Sequence, residues 1–344
     1  TGQHYSENLD KIFYEQLNLR NPDLNLKIGR PGQSLGSQLA SLMIKAEEAL
    51  DYYKPEYVIL LGDTNTALAS IIIARKNIKL VHIEAGMRSF DWRMPEEKNR
   101  IVADHLSDIL YIYLQDYANN AILEGIDSSK ISVVGNPIVD IVNDWAHVID
   151  DIDTKSITMS DRKNFLFATI HREENVENPE SLTDIISSLK KISKIENKEM
   201  ILTLMPRTKS SLERFGIDYS EIKTIDPVGF FECLALQKYS SLVFTDSGTI
   251  QEESCILGTK CLTLRNSTER PQAMECGAGI LGGTELDSIM NSYYELREKP
   301  AGWSHPFGDG ASSKRILMDL EKRIQNQKIE KPWINKRISR GWVK

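Results

Sequence analysis

The chain has 344 residues, 41% apolar and 26% charged, which fits about two globular domains and excludes a disordered, collagen-like or coiled-coil protein. Its formal net charge of −7 offers nucleic acid no global basic field, so an anionic ligand must be held by local Arg, His and backbone N–H groups. No apolar run approaches the ~18 residues that span a bilayer, and the polar start reads as no signal peptide, so a cytoplasmic protein with no membrane partner is expected.

In chain order, mostly unbroken β-branched or aliphatic runs at 57–62, 80–84, 109–114, 131–135, 165–170, 200–204, 242–245 and 261–264 predict strands covered on both faces. Helical periodicity lies between many of them, at 36–50, 66–76, 97–105, 179–195 and 250–257. This alternation predicts α/β architecture with parallel sheets. The register breaks over 137–161. Residues 150–161 are acidic and lack apolar periodicity, which places the inter-domain connection there. A Pro/Gly-rich loop at 300–310 precedes a charged amphipathic helix at 311–329 and a basic tail with Trp333 and Trp342. The expected organisation is a first domain over 1–150, a second over 151–310, and a C-terminal helix and tail over 311–344. Cys233, Cys255, Cys261 and Cys276 form no C-x-x-C pair and read as reduced thiols, with no disulfide framework and no zinc site.

Polar residues recur just where the strands end: Asp63, Glu84, His171 with Arg172, Asp246 with Ser247, and Arg265. Open α/β sheets bind ligands outside the carboxyl ends of their strands. Asp246-Ser247-Gly248 turns from a strand into a helix, where Gly248 allows close backbone approach and free N–H groups suit phosphate. Glu253, further along that helix, could accept from ribose hydroxyls. Read alone, the same turn is an ordinary helix cap. The loop from Arg265 to Pro271 carries two arginines whose planar forks suit phosphate oxygens. His171 could donate to phosphate or protonate a leaving group. Asp63, Glu84 and Glu96 are the carboxylates of interest, because clustered acids push their pKa values apart and so divide acid from base.

The strings Thr1-Gly2-Gln3-His4-Tyr5, Gly62-Asp63-Thr64-Asn65-Thr66, His82-Ile83-Glu84-Ala85-Gly86-Met87-Arg88, Pro95-Glu96-Glu97, Gly135-Asn136-Pro137, His171-Arg172-Glu173, Asp246-Ser247-Gly248, Gln251-Glu252-Glu253, Thr268-Glu269-Arg270-Pro271 and Phe307-Gly308-Asp309-Gly310 keep their order from residue 1 to about 320. Together they resemble the non-hydrolysing UDP-N-acetylglucosamine 2-epimerase family. The resemblance implies two Rossmann-like doubly wound domains facing across a cleft, similar to GT-B glycosyltransferases, with a UDP-sugar as ligand. It implies no metal and no cofactor. The last helix is expected to cross back to the first domain, and a homodimer is expected. By resemblance, Asp63, Glu84, Glu96 and His171 are catalytic. Gln3, His4, Arg100, Arg172, Ser247, Gly248, Glu253 and Arg270 bind the UDP-sugar, with Gln3 and His4 near the sugar and regulatory region.

Three features depart from the family pattern. The family's first strand and Gly-Thr-Arg-Pro-Glu loop have no counterpart before Thr1, so a truncated first domain is expected. Met205 stands where relatives carry His, and a thioether donates no hydrogen bond to phosphate. Thr249 replaces the second Gly of Ser-Gly-Gly and, with Phe230-Phe231, is similar to relatives acting on other UDP-2-acetamido sugars.

The implied reaction inverts C2 of a UDP-2-acetamido sugar, first of all UDP-GlcNAc to UDP-ManNAc, by loss of UDP to a glycal and re-addition, in surface polysaccharide synthesis. Asp63, Glu84 and Glu96 share the acid and base roles without ranking. The competing readings are an epimerase for a fucose- or uronate-type substrate, a hydrolysing epimerase, a GT-B glycosyltransferase, and a non-catalytic sugar-nucleotide-binding protein.

Overall fold

A computed structural model describes residues 1–2, 14–29 and 32–325. The chain divides into two compact units: residues up to Asp140 together with the chain from Phe307 onward, and Ile141–Pro306. The division at Asp140/Ile141 differs from the connection read at 150–161. That stretch instead carries the short helices Ala146–Asp151 and Thr154–Thr158 inside the second unit. Helices this short show too few turns to reveal a period.

The first unit holds a parallel sheet in the order β1 (Tyr57–Leu61), β2 (Lys79–Ile83), β3 (Ile109–Ile112), β4 (Ile131–Val133). Alternate residues of β2 face opposite cores, Leu80 one way and Val81 the other. Leu80 packs with Leu42 and Ala46 of the helix Leu35–Tyr53 and with Ile73 of the helix Ser70–Arg75. Val81 packs with Ile109, Tyr111 and Ile316 of the helix Ser312–Gln325. Asp140 caps that last helix, accepting from Ser312 N–H at 3.0 Å and Ser313 N–H at 2.7 Å.

The second unit holds six parallel strands in the order β10-β9-β8-β5-β6-β7, where β5 is Phe165–Thr169, β6 Glu199–Thr203, β7 Lys223–Ile225, β8 Val243–Thr245, β9 Cys261–Thr263 and β10 Gly279–Leu281. This is the Rossmann order, with its switch point between β5 and β8. The central strands read as continuous apolar runs because both faces are covered. On β5, Leu166 and Ala168 join the core under the helices Pro179–Glu196 and Leu286–Glu298, while Phe165 and Phe167 join Leu236 and Ile250 on the other side. At about 2 kcal/mol per fully buried aliphatic or aromatic side chain, these two layers are what hold the strand ends in place. Both units are α/β with parallel sheets, as the alternation predicts. No helix among the described residues is long and apolar enough to cross a membrane.

Candidate active site

In the first unit, β1 ends at Leu61 and the chain turns through Gly62 at φ +73°, which presents Asp63 at the carboxyl end of the sheet. Asp63 is clasped by Arg100, whose Nη2 donates to its Oδ2, and Arg100 is itself 1% exposed. Asn99 Nδ2 donates to the Asp63 carbonyl at 2.9 Å. Both partners come from the helix Pro95–Leu106, where Glu96, Asn99 and Arg100 share one face by i, i+3, i+4 spacing.

Glu84 follows β2 at φ +71°, a left-handed conformation that costs a residue with a Cβ on the order of 1–2 kcal/mol. Such strain is retained where the surroundings over-determine it, and it clusters at functional sites. Glu84 Oε2 lies 3.7 Å from the point a Cβ on Gly62 would occupy, so the Glu84 carboxylate stands beside the Asp63 turn. Both carboxylates are half-buried, as is Glu96 in the first turn of the helix. Glu97, by contrast, is buried and structural. It accepts from Ser89 N–H at 2.9 Å, Ser89 Oγ at 3.0 Å and Phe90 N–H at 3.0 Å, which fixes the loop leading into the helix.

In the second unit, Asp246 stands at the switch point between β5 and β8, wholly buried. It accepts from His171 N–H (3.1 Å), Arg172 N–H (3.0 Å) and Asn175 Nδ2 (3.0 Å). His171 Nδ1 lies 3.1 Å from Asp246 Oδ1, which leaves Nε2 as the ring nitrogen turned away from the carboxylate. Burial alone would raise the Asp246 pKa. His171 and the donors around it outweigh burial and hold the carboxyl below its ordinary value.

Ser247 is the N-cap of the helix Gly248–Ile256, and no side chain caps that end. The first-turn N–H groups and the positive end of the helix dipole therefore suit an anion. Gly248 is required by close approach, because a Cβ there would meet Arg270 Nε and Glu269 Oε1, each at 2.8 Å. Three arginines gather on the nearly buried Glu269: Arg265 Nη2 at 3.0 Å, Arg270 Nε at 3.4 Å and Arg172 Nη2 at 3.9 Å. Arg270 also donates to Glu252. Arg265 Nε also lies 4.0 Å from Glu174 Oε1, so these three arginines meet three carboxylates. Arg270 is thus a paired, buried residue and not a solvated loop arginine. Glu253 is buried, accepts from Gln237 Nε2 at 2.7 Å, and is pushed above its ordinary pKa by burial.

Gln3 and His4 lie outside the described residues. Met205 stands at the N-cap of the helix Pro206–Phe215 just past β6, with no side-chain cap bond. Asn99, Asn175 and Gln237 touch the candidate residues but carry no signal in the sequence beyond helical spacing, and Asp246 reads there as a strand-end polar residue in a helix-capping turn. Among the described residues, no group of three His, Cys, Asp or Glu is placed to hold a metal ion.

The family model described as UDP-N-acetylglucosamine 2-epimerase matches residues 1–321. The chain belongs to the UDP-N-acetylglucosamine 2-epimerase family. It is 42% identical to a UDP-N-acetylglucosamine 2-epimerase of Methanococcus maripaludis, over 92% of this chain and 88% of that protein. It is 37% identical to the UDP-2,3-diacetamido-2,3-dideoxy-D-glucuronate 2-epimerase of Pseudomonas aeruginosa, over 94% and 90%. The crystal structure of Methanocaldococcus jannaschii UDP-GlcNAc 2-epimerase in complex with UDP-GlcNAc and UDP is similar at a TM-score of 0.88, with 41% identity over 94% of this chain and 90% of that one. Family membership makes the chain an isomerase, a UDP-sugar 2-epimerase.

Proposed function

We propose that the chain interconverts UDP-N-acetylglucosamine and UDP-N-acetylmannosamine without releasing UDP. The observation that carries this reading is the pairing of Asp63 with a strained Glu84 on one sheet, in a chain whose other sheet carries an uncapped helix end beside three arginines. The C2 hydrogen of the sugar has no adjacent carbonyl and is weakly acidic. Loss of UDP makes its removal feasible. A carboxylate takes the C2 proton, the C–H pair forms the C1=C2 bond, and the C1–O bond breaks with its electrons leaving on UDP. The product is a 2-acetamidoglycal.

Return runs the steps backwards with a proton delivered to the other face of C2. Two acid/base groups are needed, and Asp63, Glu84 and Glu96 supply them. His171 Nε2, Arg172, the Ser247–Gly248 turn and Arg270 stabilise the charge that develops on departing UDP. Glu253 accepts from the ribose hydroxyls. Polysaccharide precursor supply is the role this reaction serves.

Gly248→Ala is expected to weaken UDP binding about tenfold, equivalent to roughly 1.4 kcal/mol, because the new methyl group displaces Arg270 and Glu269. Both neighbours are side-chain ends, so thermal unfolding should move little. Calorimetric titration with UDP measures the first and a melting curve the second.

A second substrate is favoured by one observation: Thr249, whose Oγ1 lies 3.2 Å from Ser247 Oγ, puts a hydroxyl where a Ser-Gly-Gly turn has none. That would suit a uronate-type UDP-sugar such as the one named for the Pseudomonas relative. Product NMR on a panel of UDP-2-acetamido sugars decides between them. The account expects UDP-GlcNAc to turn over fastest, and faster turnover of a diacetamido-uronate would replace it with the second reading.

A further inference from the structure

His82 lies in the string that ends at Glu84 yet takes no part in the chemistry above. Its ring is wholly buried on β2. Nε2 lies 2.9 Å from the Gly62 carbonyl oxygen and Nδ1 lies 2.7 Å from Asp104 Oδ1. A carbonyl oxygen only accepts, so Nε2 carries a proton. Asp104 Oδ2 accepts from Gly86 N–H at 3.0 Å and faces Arg88 Nη1 at 2.8 Å, donors that keep it ionised. An ionised carboxylate also only accepts, so Nδ1 carries a proton as well.

Burial alone would strip that charge. The hydrogen bond and charge of Asp104 outweigh burial, and the His82 pKa moves up. The charged groups around the ring are Asp104 from the helix Pro95–Leu106 and Glu84 from the end of β2, with Arg88 behind Asp104.

The carbonyl His82 holds belongs to the Gly62–Asp63 peptide. The N–H that Asp104 holds belongs to Gly86, two residues past Glu84. One buried ion pair therefore ties the turn bearing Asp63 to the turn bearing Glu84. We infer that His82 is a positioning residue, an imidazolium at working pH whose pair with Asp104 sets the spacing between the Asp63 and Glu84 carboxylates. The inference rests on the reading that these two carboxylates move the C2 proton.

The test uses the full chain. Ring-nitrogen NMR on isotope-labelled histidine, with His82 assigned by its loss in His82→Gln, should show both nitrogens protonated at neutral pH, where an ordinary histidine is mostly neutral. An unprotonated ring nitrogen at pH 7 overturns the inference.

His82→Gln and Asp104→Asn should each lower kcat for C2 hydrogen exchange by about 10²-fold, the scale of an ångström of misplacement, with KM within about threefold. In Asp104→Asn the ring should become neutral with Nε2 still protonated, a change a merely structural role would not produce. Wild-type kcat in either variant, or a loss confined to KM, overturns it. Should His82→Gln not fold, the His82 signal is assigned by its change in Asp104→Asn, and the labelled wild type and that variant decide. A wild type that exchanges no C2 hydrogen on any UDP-2-acetamido sugar sinks the underlying reading instead. That failure is distinct, because the protonation of the ring is read without turnover.

Discussion

Asp63→Asn is expected to lower the rate of C2 hydrogen exchange by about 10²–10⁴-fold, the usual contribution of a positioned acid or base. The amide keeps the volume of the side chain and can still accept from Arg100, so the turn held by Asn99 and Gly62 should stay in place. It cannot take a proton at neutral pH. UDP affinity should change by less than about threefold, because the residues proposed to bind UDP lie on the other sheet. Exchange into D₂O followed by NMR, with UDP titration in parallel, separates the two effects. Undiminished exchange would remove Asp63 from the chemistry and leave Glu84 and Glu96 to share it.

Asp246→Ala should produce the largest loss of stability, about 3–5 kcal/mol, because it leaves donors buried without their acceptor. Those donors are His171 N–H, Arg172 N–H and Asn175 Nδ2. The loss also frees His171 and Arg172, so UDP binding should fall with it. Asp246 and Asp104 are both held below the ordinary carboxylate value in the folded chain, burial opposing and their cationic and N–H partners prevailing. Their contribution to stability is therefore complete above the unfolded value of about 3.9 and is lost as pH falls through the folded values. Denaturant titrations across that acid range should show a shallower pH slope for Asp246→Ala than for wild type. An unchanged slope, or a variant as stable as wild type at pH 7, contradicts the role given to Asp246.

In the second sheet, the strands legible in the sequence are the four central ones, with both faces covered. Residues 165–168 are apolar at every position because alternate residues serve two cores. The edge strands Lys223–Ile225 and Gly279–Leu281 were not legible, because Asp226 and Gly282 end their runs after three residues, whereas Val134 extends the equally short edge strand Ile131–Val133. Polar residues beyond the strand ends marked where chemistry could sit, because parallel sheets open their carboxyl ends to ligands. What spacing could not show is which charge answers which. Arg270 looks like a free phosphate fork in the sequence, and in the fold it is paired with Glu252 and Glu269. Asp246 looks like a helix-capping residue, and in the fold it orients His171 across 75 residues of chain. Glu84 shows no sign in the sequence of its left-handed backbone, which only the packed turn imposes.

The most direct measurement is incubation of the wild-type chain with UDP-GlcNAc in D₂O, with NMR of the sugar and of UDP together. The account predicts deuterium at C2, both C2 epimers still linked to UDP, and no build-up of free amino sugar. Free sugar and UDP accumulating in step, with hydrogen retained at C2 of the remaining UDP-GlcNAc, would contradict it.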